Sequence, residues 1–422
     1  MTADVVIVGG GLVGATTAAV LGAQGRDVVL IERERPQRRI GELGIDIRNV
    51  ALSSASRVLL EGAGVWRQLS PVPYTQMCVS EERGTRRLDF SAAGVDRDEL
   101  GWICEHSEVV CALWQMLDTM DNVELHVGEE LEGLSSGTDH LSLKLSSGQV
   151  TARLLIGADG NQSRVRDLLE VRVSENPTGH HALATVISTE ESHKGVAWQR
   201  FLLGGPLAVL PSRHPHMASV VWSQSSDEVQ RRTRQDADAF CDELTGCMEG
   251  CLGVVKSVDR RLSFPVSQML AHSFNPAPRV LIIGDAAHSI HPLAGLGANV
   301  GFEDVRDLAA KAGELGAEQD LGAARLWVPF ARKRRLRAKL MLALMTGLRQ
   351  AYAAEGPLSG LVRNTGVGWI DDNDTIKGQF VREALGLGPL AQGLGPAVAR
   401  QLGSLVRALG PLAQHLVPRE QR

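Results

Sequence analysis

Asp4–Arg33 reads DVVIVGGGLVGATTAAVLGAQGRDVVLIER, and the order of its parts decides the fold. The apolar run DVVIVG is short and unbroken, as a strand buried on both faces is. Glycines follow as Gly9-x-Gly11-x-x-Gly14, and ATTAAVLGAQG then continues as a small-residue helix. A second apolar run, RDVVLIER, closes the unit as strand–glycine loop–helix–strand, the opening of a doubly wound α/β sheet. Glycine at these spacings permits a tight turn and lets a pyrophosphate approach backbone N–H groups at the helix N-terminus. Glu32 ends the second strand, where a carboxylate accepts hydrogen bonds from a ribose and repels a 2′-phosphate, so FAD or NAD is favoured over NADP.

Residues 5–25 carry no charge and have the length of a membrane-spanning helix. Six glycines interrupt the stretch and Asp4 precedes it in place of a basic segment, so it is read as the βα unit. The whole chain has 422 residues, 44% hydrophobic and 22% charged, with a net charge of -5, a balance that suits a large core and not a nucleic-acid surface. Aromatic content of 4% also argues against base-stacking platforms. Cys78, Cys104, Cys111, Cys241, Cys247 and Cys251 form no CxxC pair, which points to reduced thiols and a cytoplasmic setting.

Further along, the spacing predicts a helix over residues 49–62 and another over Glu108–Met120. Strands are predicted at VELHV, LSLKL and VTARLLIGAD. Residues 171–274 are rich in strand-like runs (ALATVIS, WQRFLL, MASVVWS), with one polar helix near Ser226–Gly246. The nucleotide-fold pattern returns at RVLIIGDAAH, before helices at about Gly297–Glu314 and Ala323–Tyr352. The expected architecture is α/β: a Rossmann-like FAD-binding domain (1–76, 100–170 and 275–330), an inserted β-sheet-rich substrate domain (77–99 and 171–274) and a C-terminal helical region (331–422).

Two later motifs carry chemistry. In GADGNQSRVR, Asp159 and Gly160 stand at a strand end where open α/β sheets bind ligands; Ser163 and Arg166 read equally well as the start of a helix after an Asp-Gly turn. In RVLIIGDAAHSIHPLAGLGANVGFED, a strand ends at Gly284-Asp285, a carboxylate placed to grip the hydroxyls of a ribityl chain. His288 and His291 lack the acidic or thiol companions of a zinc site, so no metal is assigned. His291-Pro292 reads as a rigid turn, after which Gly295, Gly297, Ala298 and Asn299 open a helix whose dipole would favour negative charge on a reduced ring.

Taken together, GGGLVG, GADGNQSRVR and GDAAHSIHPLAGLGANVGFEDV resemble the class A flavoprotein monooxygenases. IRNVALSSASRVLLEGAGVW, LGWICEHSEVVCALW and RFLLGGPLAVLP are similar to the ubiquinone-biosynthesis hydroxylases, nearest the bacterial branch acting on 2-polyprenylphenols. The resemblance runs to about Leu387. It implies that Gly9, Gly11, Gly14 and Glu32 hold the ADP half of FAD, that Asp285 holds the ribityl side, and that Pro292, Gly295, Gly297, Ala298 and Asn299 face the isoalloxazine. Arg48 matches the family's arginine near the flavin, and Asp159 its DG aspartate. Leu296 departs from the pattern, standing where relatives carry glutamine.

The implied reaction inserts one O₂-derived oxygen into a polyprenylphenol through a C4a-hydroperoxyflavin, with NAD(P)H or another donor as co-substrate. No second dinucleotide fingerprint marks the donor's place, and no side chain is assigned as acid or base. His180, His181, Trp198, Arg200 and Phe201 lie in the substrate lobe, as packing or as substrate contacts.

A prenylated substrate would be collected at a membrane. Arg332, Lys333, Arg334, Arg335, Arg337 and Lys339 read either as a solvated helix face or as a lipid-facing patch on the inner side of the cytoplasmic membrane. The stretch Leu394, Val398, Leu402, Leu405, Leu409, Leu412, Leu416 reads as a helix packing on the body, on a neighbouring subunit or on lipid. Other functions kept open are hydroxylation of a soluble aromatic or secondary metabolite, and a flavin-bearing scaffold in a quinone-biosynthesis complex.

Overall fold

The structure, a computed structural model, describes residues 2–82, 87–290, 297–316 and 319–353 together with Arg382 and Gly388. Thr2–Val8 forms the expected first strand, Leu12–Ala23 the helix and Val28–Glu32 the second strand. In the seven-stranded sheet, Val123–Val127, Val28–Glu32, Thr2–Val8 and Gln149–Gly157 lie side by side and parallel. Val280–Ile282 joins parallel to the far half of Gln149–Gly157. Leu141–Leu145 and Leu131–Ser136 extend the sheet antiparallel. Val5, Val6, Ile7, Leu154, Leu155 and Ile156 are all buried, because helices cover both faces of the parallel strands.

Register puts the strand ends level. Val8 pairs with Ile31 on one side and Gly157 on the other, and Gly157 pairs with Ile282. Segments more than a hundred residues apart therefore leave the sheet at one edge, the carboxyl end where ligands bind in such folds. The helices Leu12–Ala23 and Gly297–Gly313 pack together above this edge, and Arg26 Nη2 fastens the end of the latter through the carbonyls of Ala312 (3.1 Å) and Leu315 (2.7 Å).

The nine-stranded sheet is built around Val173–Thr189, Met217–Ser225, Gly205–Pro211 and Val196–Leu202, with Gln76–Glu81 and Leu88–Ser91 added at one side. Alternation gives it two different faces. On the outer face, Leu183, Leu207, Val209, Val220 and Trp222 pack beneath Phe240, Leu244 and Met248. On the inner face, Ala184 and Val186 meet Ile45 and Ile47, and Phe201 meets Ile290 and Val300.

Two predicted helices are divided. Asn49–Leu52 is a strand paired with Gly101–Glu105, and only Ser54–Gly62 is helical. Ser53 caps that helix, its Oγ accepting the Ser56 N–H at 3.2 Å. The expected Ser226–Gly246 helix is two helices, Ser226–Arg234 and Ala237–Cys247, because Asp236 turns out of the first to cap the second through the N–H groups of Asp238 (3.0 Å) and Ala239 (3.4 Å). The long C-terminal helix runs Ala324–Ala353. Leu394, Val398, Leu402, Leu405, Leu409, Leu412 and Leu416 lie outside the described residues. Among the described residues no helix is long and apolar enough to cross a membrane.

Candidate active site

The glycine loop is shaped by contacts on each side. Gly9 has φ +104°, and a Cβ there would lie 2.4 Å from the Ala158 carbonyl oxygen. A Cβ on Gly14 would meet the Gly9 carbonyl oxygen at 1.8 Å, so helix and loop touch backbone to backbone. Gly11 is different: nothing lies within 4 Å of its Cβ position, and no side chain caps the helix it begins. No side chain thus satisfies the N–H groups of the first turn, and the space beside Gly11 is open, an arrangement that suits an anion. Glu32 Oε2 accepts the Gly10 N–H at 2.5 Å, which ties the acid to the loop and leaves further lone pairs for a ribose.

Gly10 and Trp114 are site residues that the motif reading passed over. Trp114 Nε1 donates to the Gly10 carbonyl at 2.8 Å, and a Cβ on Gly10 would strike the indole at 2.5 Å. The only sequence signal was a third glycine in the run.

The Asp159 segment sits beside this loop. Asp159 Oδ2 accepts the Val165 N–H at 3.1 Å, while Oδ1 is buried without a hydrogen-bond partner. An orphaned buried carboxylate oxygen is costly unless something else fills its lone pairs. Ser163 and Arg166 have structural roles: Ser163 Oγ accepts the Arg166 N–H at 3.1 Å, and Arg166 Nη1 donates to the Ala286 carbonyl at 3.0 Å, bracing one motif against the next.

Gly284 turns through φ +58° against Val13, whose methyls would lie 3.0 Å from a Cβ there. That turn presents Asp285, which is exposed to solvent although protein surrounds its carboxyl group closely. Burial raises its carboxyl pKa above the ordinary range, against the opposing charges of His288 and Arg48. Arg48 is exposed and faces both Asp285 and His106 electrostatically. His106, also missed by the sequence reading, is pushed down to about 4 by burial and by Arg48, so its imidazole is neutral at physiological pH.

Asn299 is buried with three of the four hydrogen-bonding positions of its amide engaged. Oδ1 accepts from Ser53 N–H (2.9 Å) and Ser56 Oγ (2.7 Å), and Nδ2 donates to the Ala51 carbonyl (2.8 Å). Gly297 and Ala298 begin the same helix, Gly297–Gly313, while His291, Pro292, Gly295 and Leu296 lie outside the described residues.

His288 Nε2 pairs with Asp304 Oδ2 at 2.7 Å, both groups fully buried. Two residues of the basic run end up in the same place, which for them overturns both the solvated-face and the lipid-facing expectation. Arg334 and Arg337 are buried: Arg334 Nε meets Asp304 Oδ1 at 2.6 Å, and Arg337 Nη2 meets Glu303 Oε1 at 3.0 Å. Lys333 pairs with Asp307, and Arg335 donates to the Ala271 carbonyl. Only Arg332, Lys333 and Lys339 of the run are exposed. The missed signal was the stripe Trp327, Phe330, Ala331, Arg334, Ala338, Met341 and Met345, in which Arg334 occupies a core position.

The five roof residues divide by face. His181, Trp198 and Arg200 share the outer face, where Arg200 holds Glu249 and the Cys247 carbonyl; His180 and Phe201 share the inner one. One inner row crosses six strands as Val79, Gln199, Ala208, Val221, Ala184 and Leu262, and contains no ionisable group.

The donor set fits FAD: an uncapped helix start beside open space at Gly11, an acid at the second strand end, an orphaned carboxylate oxygen on Asp159 and an exposed carboxylate, Asp285, just beyond the strand Val280–Ile282. Comparison with known proteins agrees. A family model described as FAD binding domain matches residues 2–342. The chain is similar to ubiquinone hydroxylase UbiL of Rhodospirillum rubrum, 33% identical with 92% of this chain and 91% of that protein covered. It is also similar to 3-demethoxyubiquinol 3-hydroxylase of Escherichia coli, 30% identical with 91% and 98% covered. In fold it resembles p-nitrophenol 4-monooxygenase PnpA from Pseudomonas putida DLL-E4, with a TM-score of 0.73 at 20% identity, over 92% of this chain and 98% of that one. The chain belongs to the class A FAD-dependent monooxygenases, in the family of the ubiquinone-biosynthesis hydroxylases.

Proposed function

We propose that this enzyme hydroxylates a polyprenylated phenol on the way to ubiquinone, inserting one oxygen of O₂ and delivering the other as water at the expense of NAD(P)H or another two-electron donor. The observation that carries the reading is the meeting of Gly9–Gly14, Asp159 and Asp285 at one sheet edge beneath an apolar roof. FAD, when bound, supplies the electron transfer and the activation of O₂.

The protein's part is to bind, orient and exclude water. The first-turn N–H groups at Gly11 take the pyrophosphate and Glu32 the adenosine ribose. Asp285 takes the ribityl hydroxyls, with Arg48 and the free Oδ1 of Asp159 completing the polar wall. The backbone of Gly297, Ala298 and Asn299 faces the ring. Residues 1–76, 100–170 and 275–330 form the unit that performs this binding; 77–99 and 171–274 form the roof, and the C-terminal region from 331 is described only to residue 353, the end of the long helix, and at Arg382 and Gly388. The inner row from Val79 to Leu262 keeps water from the reacting ring and offers no competing acid or base.

Hydroxylation of small phenols is the rival reading, since p-nitrophenol 4-monooxygenase shares the fold. The purified holoenzyme is to be assayed with a polyprenylphenol extract and with small phenols under ¹⁸O₂. Labelled product from the extract is expected. Turnover of small phenols alone would remove the quinone assignment.

Membrane contact belongs to the same reading and now rests on a smaller surface. Exposed Val328, Leu336 and Leu344 interleave with Arg332 and Lys339 on the long helix. Binding to anionic vesicles that is unchanged after Arg332→Gln and Lys339→Gln would remove this helix from any docking role.

A further inference from the structure

The deepest charged cluster in the described molecule lies directly under the turn that presents Asp285. Asp304 is fully buried on the helix Gly297–Gly313, and its two oxygens are shared among three donors. Oδ2 accepts the Gly284 N–H at 3.0 Å and pairs with His288 Nε2 at 2.7 Å; Oδ1 takes Arg334 Nε at 2.6 Å. Arg334 also reaches the Val300 carbonyl at 3.2 Å and Glu303 at 3.1 Å, so the long helix clamps the acid from below. His288 is held on its other side by Phe274, with ring centroids 5.7 Å apart. A buried ion pair is, by itself, weak evidence of stabilisation.

We propose that Asp304 is the positioning residue of the cofactor site: it holds Gly284 in its left-handed turn and so fixes where the Asp285 carboxylate points. It touches no cofactor atom and acts through the Gly284 N–H and His288. Its ionisation supports the role. Burial alone would raise its pKa, but His288 and Arg334 outweigh that and lower it to about 2, so the acceptor keeps its charge at working pH. The inference rests on the FAD reading for Asp285.

The test is a double-mutant cycle read by apparent FAD affinity of the full-length apoprotein, using flavin fluorescence. Asp304→Asn is expected to weaken FAD binding about tenfold or more, the scale seen when an outer partner of a binding residue is lost. Added to Asp285→Asn, the same change should cost little further, because its effect runs through Asp285. Arg279→Gln, which breaks the pair with Asp320 and shares no partner with Asp304, should lower stability and leave FAD affinity within about twofold, as expected for an independent site. Fully additive losses would mean a general structural role and overturn the proposal, as would an Asp304→Asn protein that binds FAD like the parent. Should Asp304→Asn fail to fold, His288→Gln carries the same cycle with the same two outcomes. A parent protein that takes up no FAD would instead sink the cofactor reading itself.

Discussion

At the carboxyl edge of the seven-stranded sheet, each segment is tied to another by a polar bond: Glu32 to Gly10, Trp114 to Gly10, Arg166 to Ala286, Asp304 to Gly284. The inner face of the nine-stranded sheet is the opposite, a row of Val79, Gln199, Ala208, Val221, Ala184 and Leu262 with no charge in it. The contrast separates two tasks. Holding a charged, flexible dinucleotide needs donors and acceptors at fixed positions, while a cofactor that performs the chemistry itself needs only a dry, shaped roof. Changes at the edge should therefore act on cofactor retention and stability, and changes in the row on which substrate fits.

The sharpest way to break this division is Gly14→Val. With a Cβ forced to 1.8 Å from the Gly9 carbonyl, the loop cannot close; the expected product is insoluble or colourless, and a yellow protein at full flavin occupancy would contradict the packing described. Arg334→Met comes next, since it leaves the buried Asp304 with only His288 and the Gly284 N–H and the buried Glu303 with only Arg337; urea unfolding should show a loss of about 3 kcal/mol.

Acid gives a related, smaller effect. The Asp304 carboxyl is lowered from 3.8 to about 2, so the folded state favours its ionised form. The stability this contributes is complete above the unfolded value and is lost as pH falls from about 4 through about 2. It amounts to roughly 2 kcal/mol, and urea midpoints of parent and Asp304→Asn should converge over that window. His106, lowered from 6.5 to about 4, has the same sign: its contribution is lost as pH falls from 6.5 towards 4, and His106→Gln should flatten that part of the profile.

In the roof, Ala208→Phe should raise KM for a bulky phenol by a factor reflecting about 1–3 kcal/mol of overpacking, with FAD occupancy unchanged. Trp198→Phe, one residue along the neighbouring strand's outer face, should alter KM little. If the two behave alike, the assignment of faces is wrong. The smallest effect belongs to Arg332→Gln with Lys339→Gln, which should shift stability by no more than about 0.5 kcal/mol.

The sequence itself singled out the glycine loop, Glu32, Asp159 and Asp285 as candidates, because each is a local signature: glycines where backbone must touch backbone, acids where a buried strand ends. Periodicity likewise located the helix Gly297–Gly313 and the strands beside it. What required the tertiary structure was every feature decided by a distant partner. Asn49–Leu52 is a strand because Gly101–Glu105 pairs with it, not because of its own residues. Trp198 and His180 differ only in which face their registers assign. The basic run shows most plainly why. Six cations on a helix carry the same local pattern whether water or a carboxylate faces them, and only the fold put Asp304 and Glu303 opposite Arg334 and Arg337. Local steric demands are written in neighbouring residues; long-range charge pairing exists only once the chain has closed on itself.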